Sequence, residues 1–162
     1  MKLPFVLLIA LAGCDRPAPT AAVAGGGAAL EAQARARGLV AGPDAVSPVG
    51  VYRTDADRIC VAPDRDGFVT GVSVDYGEGQ RCVARGRATG RDRLTMDMGD
   101  GCRFEARVEA DRIVLPAILP DTCDEKCVGR ASMTGIAAGR LSGSAAEATR
   151  VRGADGALLC AG

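Results

Sequence analysis

The stretch QRCVARGRATGRDRLTMDMGDGCRFEARVE, at residues 80–109, decides the fold of this chain. In its last eight residues, 102–109, every second side chain is apolar or a cysteine, and those between them are Arg or Glu. The same alternation runs through residues 93–98 and through the Arg-rich residues 80–88. A period of two is typical of strands with one buried face and one solvated face. We therefore predict three consecutive strands here.

Turn residues separate these strands and recur along the chain. Gly77, Gly90 and the Asp100-Gly101 pair each interrupt the alternation, and Asp-Gly is a strong hairpin signal. Four more strands are predicted over residues 49–53, 58–62, 68–74 and 112–115. The fold class is therefore mainly β, an antiparallel meander of about seven strands that closes into a small barrel or sandwich.

The C-terminal third has a different character, and we expect one or two short helices in it. Residues 122–126 favour a helical turn. Ser144 and Glu147 have the spacing of a capping box, which would open a short helix that Gly153 ends. Two further strands are predicted, over residues 130–136 and 157–160.

The N-terminal sequence is typical of an export signal. Lys2 is followed by an apolar run at residues 3–11 and by the small residues Ala12 and Gly13, directly before Cys14. This Leu-Ala-Gly-Cys sequence resembles the lipobox of bacterial lipoproteins. The resemblance implies cleavage before Cys14 and lipidation of that cysteine by a diacylglyceryl thioether and an acylated amino terminus. Several acyl chains would hold the protein firmly on a membrane.

Three segments follow from this interpretation: a signal peptide (1–13), a lipid-anchored Ala/Gly/Pro-rich linker (14–47) and a β domain (48–162). A short helix is possible within the linker over residues 28–40. We expect an exported protein, attached to the cell envelope and facing the periplasm. Asp15 favours the inner membrane through its resemblance to a retention signal, and the choice of membrane stays open.

Charge and composition exclude several functions. The chain has 20 basic and 20 acidic residues, so it lacks the basic excess of a nucleic-acid-binding protein. It has no histidine, which rules out Ser-His-Asp and Cys-His catalysis. Two-carboxylate chemistry stays formally open through Asp75, Glu78 and Asp97. We predict no enzyme, no catalytic residue and no cofactor, and the membrane as a partner through the lipid on Cys14.

The chain has seven cysteines, and six remain once Cys14 carries lipid. An even number in an exported domain predicts three disulfides, which a core of small aliphatic residues needs. The predicted hairpin register brings Cys102 near Ile118, so a bond to Cys123 or Cys127 is plausible. Cys160 could join the C-terminus to an early strand. The pairing stays open among the candidates Cys60, Cys82, Cys102, Cys123, Cys127 and Cys160.

Copper binding is an alternative interpretation of some of the same residues. Cys123 and Cys127 form a CxxxC pair that resembles the copper-binding loop of periplasmic copper-delivery proteins. Met96 and Met98 resemble the paired methionines that hold Cu(I), which prefers soft sulfur ligands. Those proteins usually add a histidine and have a thioredoxin-like fold, so we assign no metal site.

One loop has the composition of a recognition surface. Asp75, Tyr76 and Glu78 place an aromatic side chain among acids and glycines between two predicted strands. The overall plan resembles small β-barrel envelope lipoproteins, which include inhibitors of host lysozymes. Ser142-Gly143-Ser144 is only faintly similar to their serine-containing loop, and no inhibitory residue is assigned. The expected function is non-enzymatic binding or a structural role, with inhibition of a host or envelope hydrolase as the alternative.

Overall fold

A computed structural model gives the structure of the chain and describes residues 22–37, 47–109 and 111–161. The chain divides into two units, Met1–Gly42 and Pro43–Gly162. The described part of the first unit is one helix, α1, which runs over Ala22–Ala36 instead of the predicted 28–40. Cys14, Asp15 and the rest of the lipobox lie outside the described residues. No helix in the described ranges has the length and apolar character needed to cross a membrane.

The second unit is a closed antiparallel barrel of eight strands. The predicted meander forms its first seven strands in order, and an eighth strand pairs with both the first and the last of these. A short extra strand, β8 (Cys127–Val128), pairs with the start of β4. The barrel strands are β1 (Gly50–Arg53), β2 (Asp57–Asp64), β3 (Gly67–Asp75), β4 (Arg81–Gly90), β5 (Arg93–Asp97), β6 (Arg103–Val108), β7 (Arg112–Val114) and β9 (Ala137–Ser142).

The closing strand lies just beyond the place where the sequence predicts one. Residues 130–136, a predicted strand, form a loop in which Ser132 Oγ accepts a hydrogen bond from the Thr134 backbone N–H. Gly135 has a φ of 66°, in the left-handed region that a strand does not use. The strand begins directly after this loop as β9. The prediction for 130–136 was therefore wrong, because local turn chemistry outweighed its apolar residues.

Side chains fill the barrel interior. The inward positions of β4, β5 and β6 alternate with exposed ones as predicted, and Leu94, Met96 and Ala106 are completely buried. Other strands also contribute large interior side chains, among them Tyr52, Ile59 and Ile113. This packed interior is the main hydrophobic core.

The C-terminal segment forms a second apolar layer on the outside of the barrel. Helix α2 (Ala145–Ala148) is capped by the Ser144 side chain, which accepts a hydrogen bond from the Glu147 N–H as predicted, but it ends well before Gly153. Leu159 and Cys160 then pack with outward residues of β1 and β2. Residues 157–160, a predicted strand, make only an isolated bridge between Leu158 and Arg152. The segment binds across the sheet and does not extend it.

Three disulfides attach the non-barrel segments to the barrel. Cys60–Cys160 fixes the C-terminal segment to β2. The other two hold the segment between β7 and β9, which contains the 3-10 helix Asp121–Lys126. They are Cys82–Cys127 and Cys102–Cys123. The prediction of three disulfides is confirmed, including the Cys102–Cys123 alternative and the bond from Cys160 to an early strand.

The two ends of the barrel carry different features. The chain enters at residues 47–49, where the Arg140 guanidinium donates hydrogen bonds to the backbone oxygens of Val49 and Ser47. The turns after β1, β3 and β5 lie at the opposite end, because successive strands alternate in direction. The Asp75 N–H donates to the Ala56 oxygen there, joining the first two of these turns. We call this second end the distal end.

Candidate functional site

The loop predicted as a recognition surface, residues 75–80, lies at the distal end, and hydrogen bonds fix its backbone. The Tyr76 N–H donates to the Gln80 oxygen at 3.0 Å, and the Gln80 N–H donates to the Gly77 oxygen at 2.8 Å. The Asp75 carboxylate accepts from the Gly77 N–H at 3.1 Å. The Tyr76 side chain is 54% exposed despite this ordered backbone. The loop therefore presents an aromatic ring on a fixed frame.

The backbone of this loop is unusual at one position. Glu78 has a φ of 51°, a left-handed conformation that is uncommon for a residue other than glycine. Gly77 and Gly79 on either side have φ values of 77° and 78°. Such conformations persist where neighbouring hydrogen bonds hold them, and they are frequent in binding loops. Glu78 is exposed in this loop.

Two further residues adjoin the loop and were not predicted as part of it. Asp75 pairs with Arg81 across the β3–β4 ladder, and Arg81 pairs with Val128 of β8. The Val128 side chain is 56% exposed, which is high for an apolar residue. Sequence alone could not place Val128 here, because the two-residue strand β8 has no periodicity of its own. We call the surface formed by Asp75, Tyr76, Glu78, Arg81 and Val128 the distal surface.

The cysteines and methionines of the copper alternative are not available together as metal ligands. Cys123 is bonded to Cys102 and Cys127 to Cys82, so neither presents a free thiolate in this oxidised state. Met96 and Met98 are 0% and 2% exposed and pack in the main core. Within the described residues, no group of three or more Cys, Asp or Glu side chains is arranged to hold a metal ion.

The carboxylates named in the sequence analysis have separate structural roles. Asp97 accepts a hydrogen bond from Arg103, which lowers the pKa of the Asp97 carboxyl. A general acid needs the opposite shift, because it must hold its proton near neutral pH. The Asp75 carboxylate is occupied with the Gly77 N–H of its own loop.

A second surface feature, a cleft of about 430 Å³, lies on the outside of β5, β6 and β7. One side carries the side chains of Arg93, Glu105 and Arg107. The other side is formed by Val114 and by the residues that follow β7, and it is mostly apolar. The C-terminal segment packs on the other half of the barrel, against β1 to β4, and leaves this face open.

In the sequence, the three charged residues of this cleft indicate only a solvated strand face. The hairpin signal at Asp100-Gly101 contained the missing information. A hairpin at this turn pairs Arg93 with Arg107, so two positive charges lie directly opposite each other. Like charges directly opposite each other are destabilising. A cross-strand pair of arginines therefore indicates a candidate functional site.

No protein-family model, curated protein or solved structure matches this chain. The packing of the barrel and the chemistry of its surfaces are therefore what indicates a function.

Proposed function

We propose that this protein is an exported, lipid-anchored envelope protein that acts by surface recognition of a protein partner through its distal surface. It works as a binding module and catalyses no reaction. Lipid on Cys14 attaches it to the membrane, and residues 14–47 connect the lipid to the barrel. The partner is a periplasmic or envelope protein, a class that includes hydrolases.

The packed barrel interior is the observation that carries this proposal. Ligand-binding barrels of this size enclose a cavity, whereas this interior is occupied by side chains such as Tyr52, Leu94 and Met96, all 0% exposed. Recognition must then use the outer surface. The distal surface offers an exposed Tyr ring and an exposed Arg, two residue types that are enriched at protein interfaces, beside an exposed aliphatic side chain.

The geometry of the distal surface favours a protein partner. Its backbone is fixed by the hydrogen bonds of Tyr76 and Gln80, so little conformational entropy is lost on binding. It lies at the opposite end of the barrel from residues 47–49, where the linker joins. A partner could therefore reach Tyr76 without displacing the attachment point.

Lipidation is tested by labelling. We expect labelled palmitate to enter the full chain in a bacterial host and to be absent from a Cys14→Ser variant. The mass of the N-terminal peptide should place the lipid on Cys14. An unlabelled mature chain that starts at another residue would contradict the anchor, and the recognition proposal would then be tested on its own.

Recognition is tested by photo-cross-linking in intact cells. A photo-reactive benzoylphenylalanine in place of Tyr76 should give a discrete protein adduct. The matched control replaces Arg65, an exposed residue in the β2–β3 turn at the other end of the barrel, and should give none. Equal adducts at both positions, or none at Tyr76, would contradict recognition by the distal surface. Identification of the adduct by mass spectrometry distinguishes a hydrolase from other partners.

A further inference from the structure

The cleft beside β5 and β6 contains an unbalanced positive charge. Arg93 and Arg107 are direct cross-strand partners, and both side chains are exposed. Glu105 accepts a hydrogen bond from the Arg93 guanidinium at 2.7 Å and so balances one of the two charges. Among the described residues, the Arg107 side chain has no hydrogen-bond or ion-pair partner. The three charged side chains that line the cleft therefore sum to one positive unit, and Asp92, outside the lining, also acts on Arg93.

The contact between Arg93 and Glu105 indicates which group this site accepts. A carboxylate oxygen already lies 2.7 Å from a guanidinium nitrogen on this face. The planar guanidinium donates paired N–H groups in a geometry that matches a carboxylate. Arg107 offers the same donors and leaves them unused. A second carboxylate, supplied from outside, would relieve the repulsion between Arg93 and Arg107.

The opposite side of the cleft indicates what the carboxylate is attached to. Val114, Pro116 and Ala117 line it with apolar surface. The next residue, Ile118, is 86% exposed, the highest value among the large exposed apolar side chains of the barrel unit. A ligand with an apolar body next to its carboxylate would cover this surface and remove it from water.

We propose that this cleft binds a monocarboxylate with an apolar body, with the carboxylate on Arg107 and the apolar body against Val114, Pro116 and Ala117. Peptide C-termini and free aliphatic acids share this chemistry. Glu105 occupies the Arg93 guanidinium, which leaves Arg107 as the donor for the incoming carboxylate. This site is separate from the distal surface and depends neither on Tyr76 nor on the lipid anchor.

The experiment is an NMR titration of the full-length, disulfide-bonded chain, observed at the side-chain N–H resonances of Arg93 and Arg107. N-acetyl-leucine and hexanoate are the probes, and N-acetyl-leucinamide, acetate and inorganic phosphate are the controls. We expect saturable shifts with one or both probes, none with the amide, and weaker binding of acetate and phosphate. Tighter binding of N-acetyl-leucine than of hexanoate identifies a peptide terminus, and the reverse order identifies a free acid. Absence of saturation with both probes, or phosphate binding at least as tight as theirs, would overturn the proposal.

Three variants separate this site from a general effect of charge. Arg107→Gln should weaken binding about tenfold or more, because a charge-assisted bidentate contact is lost. Arg103→Gln is the matched control on the same strand, paired with Asp97 outside the cleft, and should bind as the wild type does. Glu105→Gln should bind more tightly, because the substitution removes a negative charge that repels the incoming carboxylate and frees the Arg93 guanidinium beside Arg107. Unchanged or weaker binding by Glu105→Gln, or equal losses in both arginine variants, would contradict the assignment.

Discussion

Tyr52 is fully buried at the end of the barrel where the chain enters, and its hydroxyl donates a 2.8 Å hydrogen bond to the Pro48 oxygen. The Arg140 guanidinium lies 4.8 Å from the centre of the Tyr52 ring. The same guanidinium donates to the backbone oxygens of Val49 and Ser47. Two side chains therefore fasten three residues of incoming chain to the barrel.

Replacement of Tyr52 by Phe tests this arrangement. The substitution removes the donor to the Pro48 oxygen, so we expect the free energy of unfolding to fall by about 1 kcal/mol. Urea denaturation measures this, and Tyr76→Phe, on an exposed ring, should leave the free energy unchanged. An equal loss in both variants would contradict a specific role for the buried hydroxyl.

The pH dependence of the same residue gives a second readout. Burial raises the pKa of Tyr52 above its ordinary value, although the nearby Arg140 acts in the other direction. The unfolded chain therefore loses this proton first as the pH rises above about 10, which favours unfolding. Wild-type stability should fall more steeply above that pH than the stability of Tyr52→Phe.

Arg85 and Asp155 form the polar attachment of the C-terminal segment to β4. The Arg85 guanidinium donates to the Asp155 carboxylate at 2.8 Å and to the Leu158 oxygen at 2.8 Å. The hydrogen bond from Arg85 lowers the pKa of Asp155. The ionised carboxylate therefore stabilises the fold above its ordinary pKa of about 4, and this contribution is lost as the pH falls through the lowered value.

Substitution Arg85→Gln should raise the pKa of Asp155 towards its ordinary range, as measured by NMR titration of the carboxyl carbon. Both side chains are about one-third exposed, so we expect little change in global stability. Arg87→Gln is the control, because Arg87 pairs with Asp64 instead. A pKa of Asp155 that responds equally to both substitutions would indicate general charge screening.

At the scale of elements, the strands that the sequence predicts best are those with one solvent-exposed face. In β4, β5 and β6, buried and exposed positions alternate, and the sequence alternates with them. β2 and β3 have consecutive buried residues instead, since the C-terminal segment covers their outer face. Their position in the barrel could still be predicted, because turns bound them on both sides.

Strand β9 shows why the closing strand could not be predicted. Its sequence AAGRLS has no β-branched residue, and Arg140 turns inward to bind the incoming chain. The hydrogen bonds that make it a strand come from β1 on one side and β7 on the other. Tertiary pairing therefore determines this element, and local propensity contributes little.

Gly71 of β3 marks a place where the C-terminal segment packs closely on the barrel. A Cβ atom at Gly71 would lie 2.5 Å from Leu159 Cγ and 2.6 Å from the Leu159 oxygen. Gly71→Ala should therefore displace the segment and destabilise the protein by roughly 1–3 kcal/mol. Hydrogen exchange should show the Leu159 amide, bonded to the Val151 oxygen, losing protection first.

The control for this substitution is Gly143→Ala. A Cβ at Gly143 has no heavy atom within 4 Å, so its stability should match the wild type or exceed it slightly. Exchange of the Leu159 amide at the wild-type rate in Gly71→Ala would mean that the segment tolerates the extra atom.

At the scale of the whole molecule, the two surface sites differ in how well they can be predicted from the sequence. Tyr76 and its neighbours fall within one short loop, so composition alone could indicate them. The cleft combines β5, β6 and the segment after β7, and its charged pair depends on hairpin register. The apolar wall at Pro116 and Ala117 depends on a loop path that no periodicity encodes.

The three disulfides divide the molecule into a barrel and two attached segments, and their removal should have unequal effects. Cys60–Cys160 spans 100 residues and Cys102–Cys123 spans 21. On loop-closure entropy, removing the first should cost about 4–5 kcal/mol and the second about 3 kcal/mol. The pairs would be removed as double alanine variants, which avoid burying a hydroxyl in apolar surroundings.

The two variants should also differ in which part of the chain loses hydrogen-exchange protection. Without Cys60–Cys160, the C-terminal segment should lose its hydrogen-exchange protection while the main core keeps its own, because the segment packs outside the barrel. Without Cys102–Cys123, protection should fall at the amides of Leu115 and Gly135, which bond to the Ile136 and Pro116 oxygens within the segment that this disulfide holds. Guanidinium denaturation gives the order of the losses, and exchange gives their location. Equal losses with the same exchange pattern would mean that barrel and segments unfold as one unit, and that the disulfides stabilise the whole chain without dividing it.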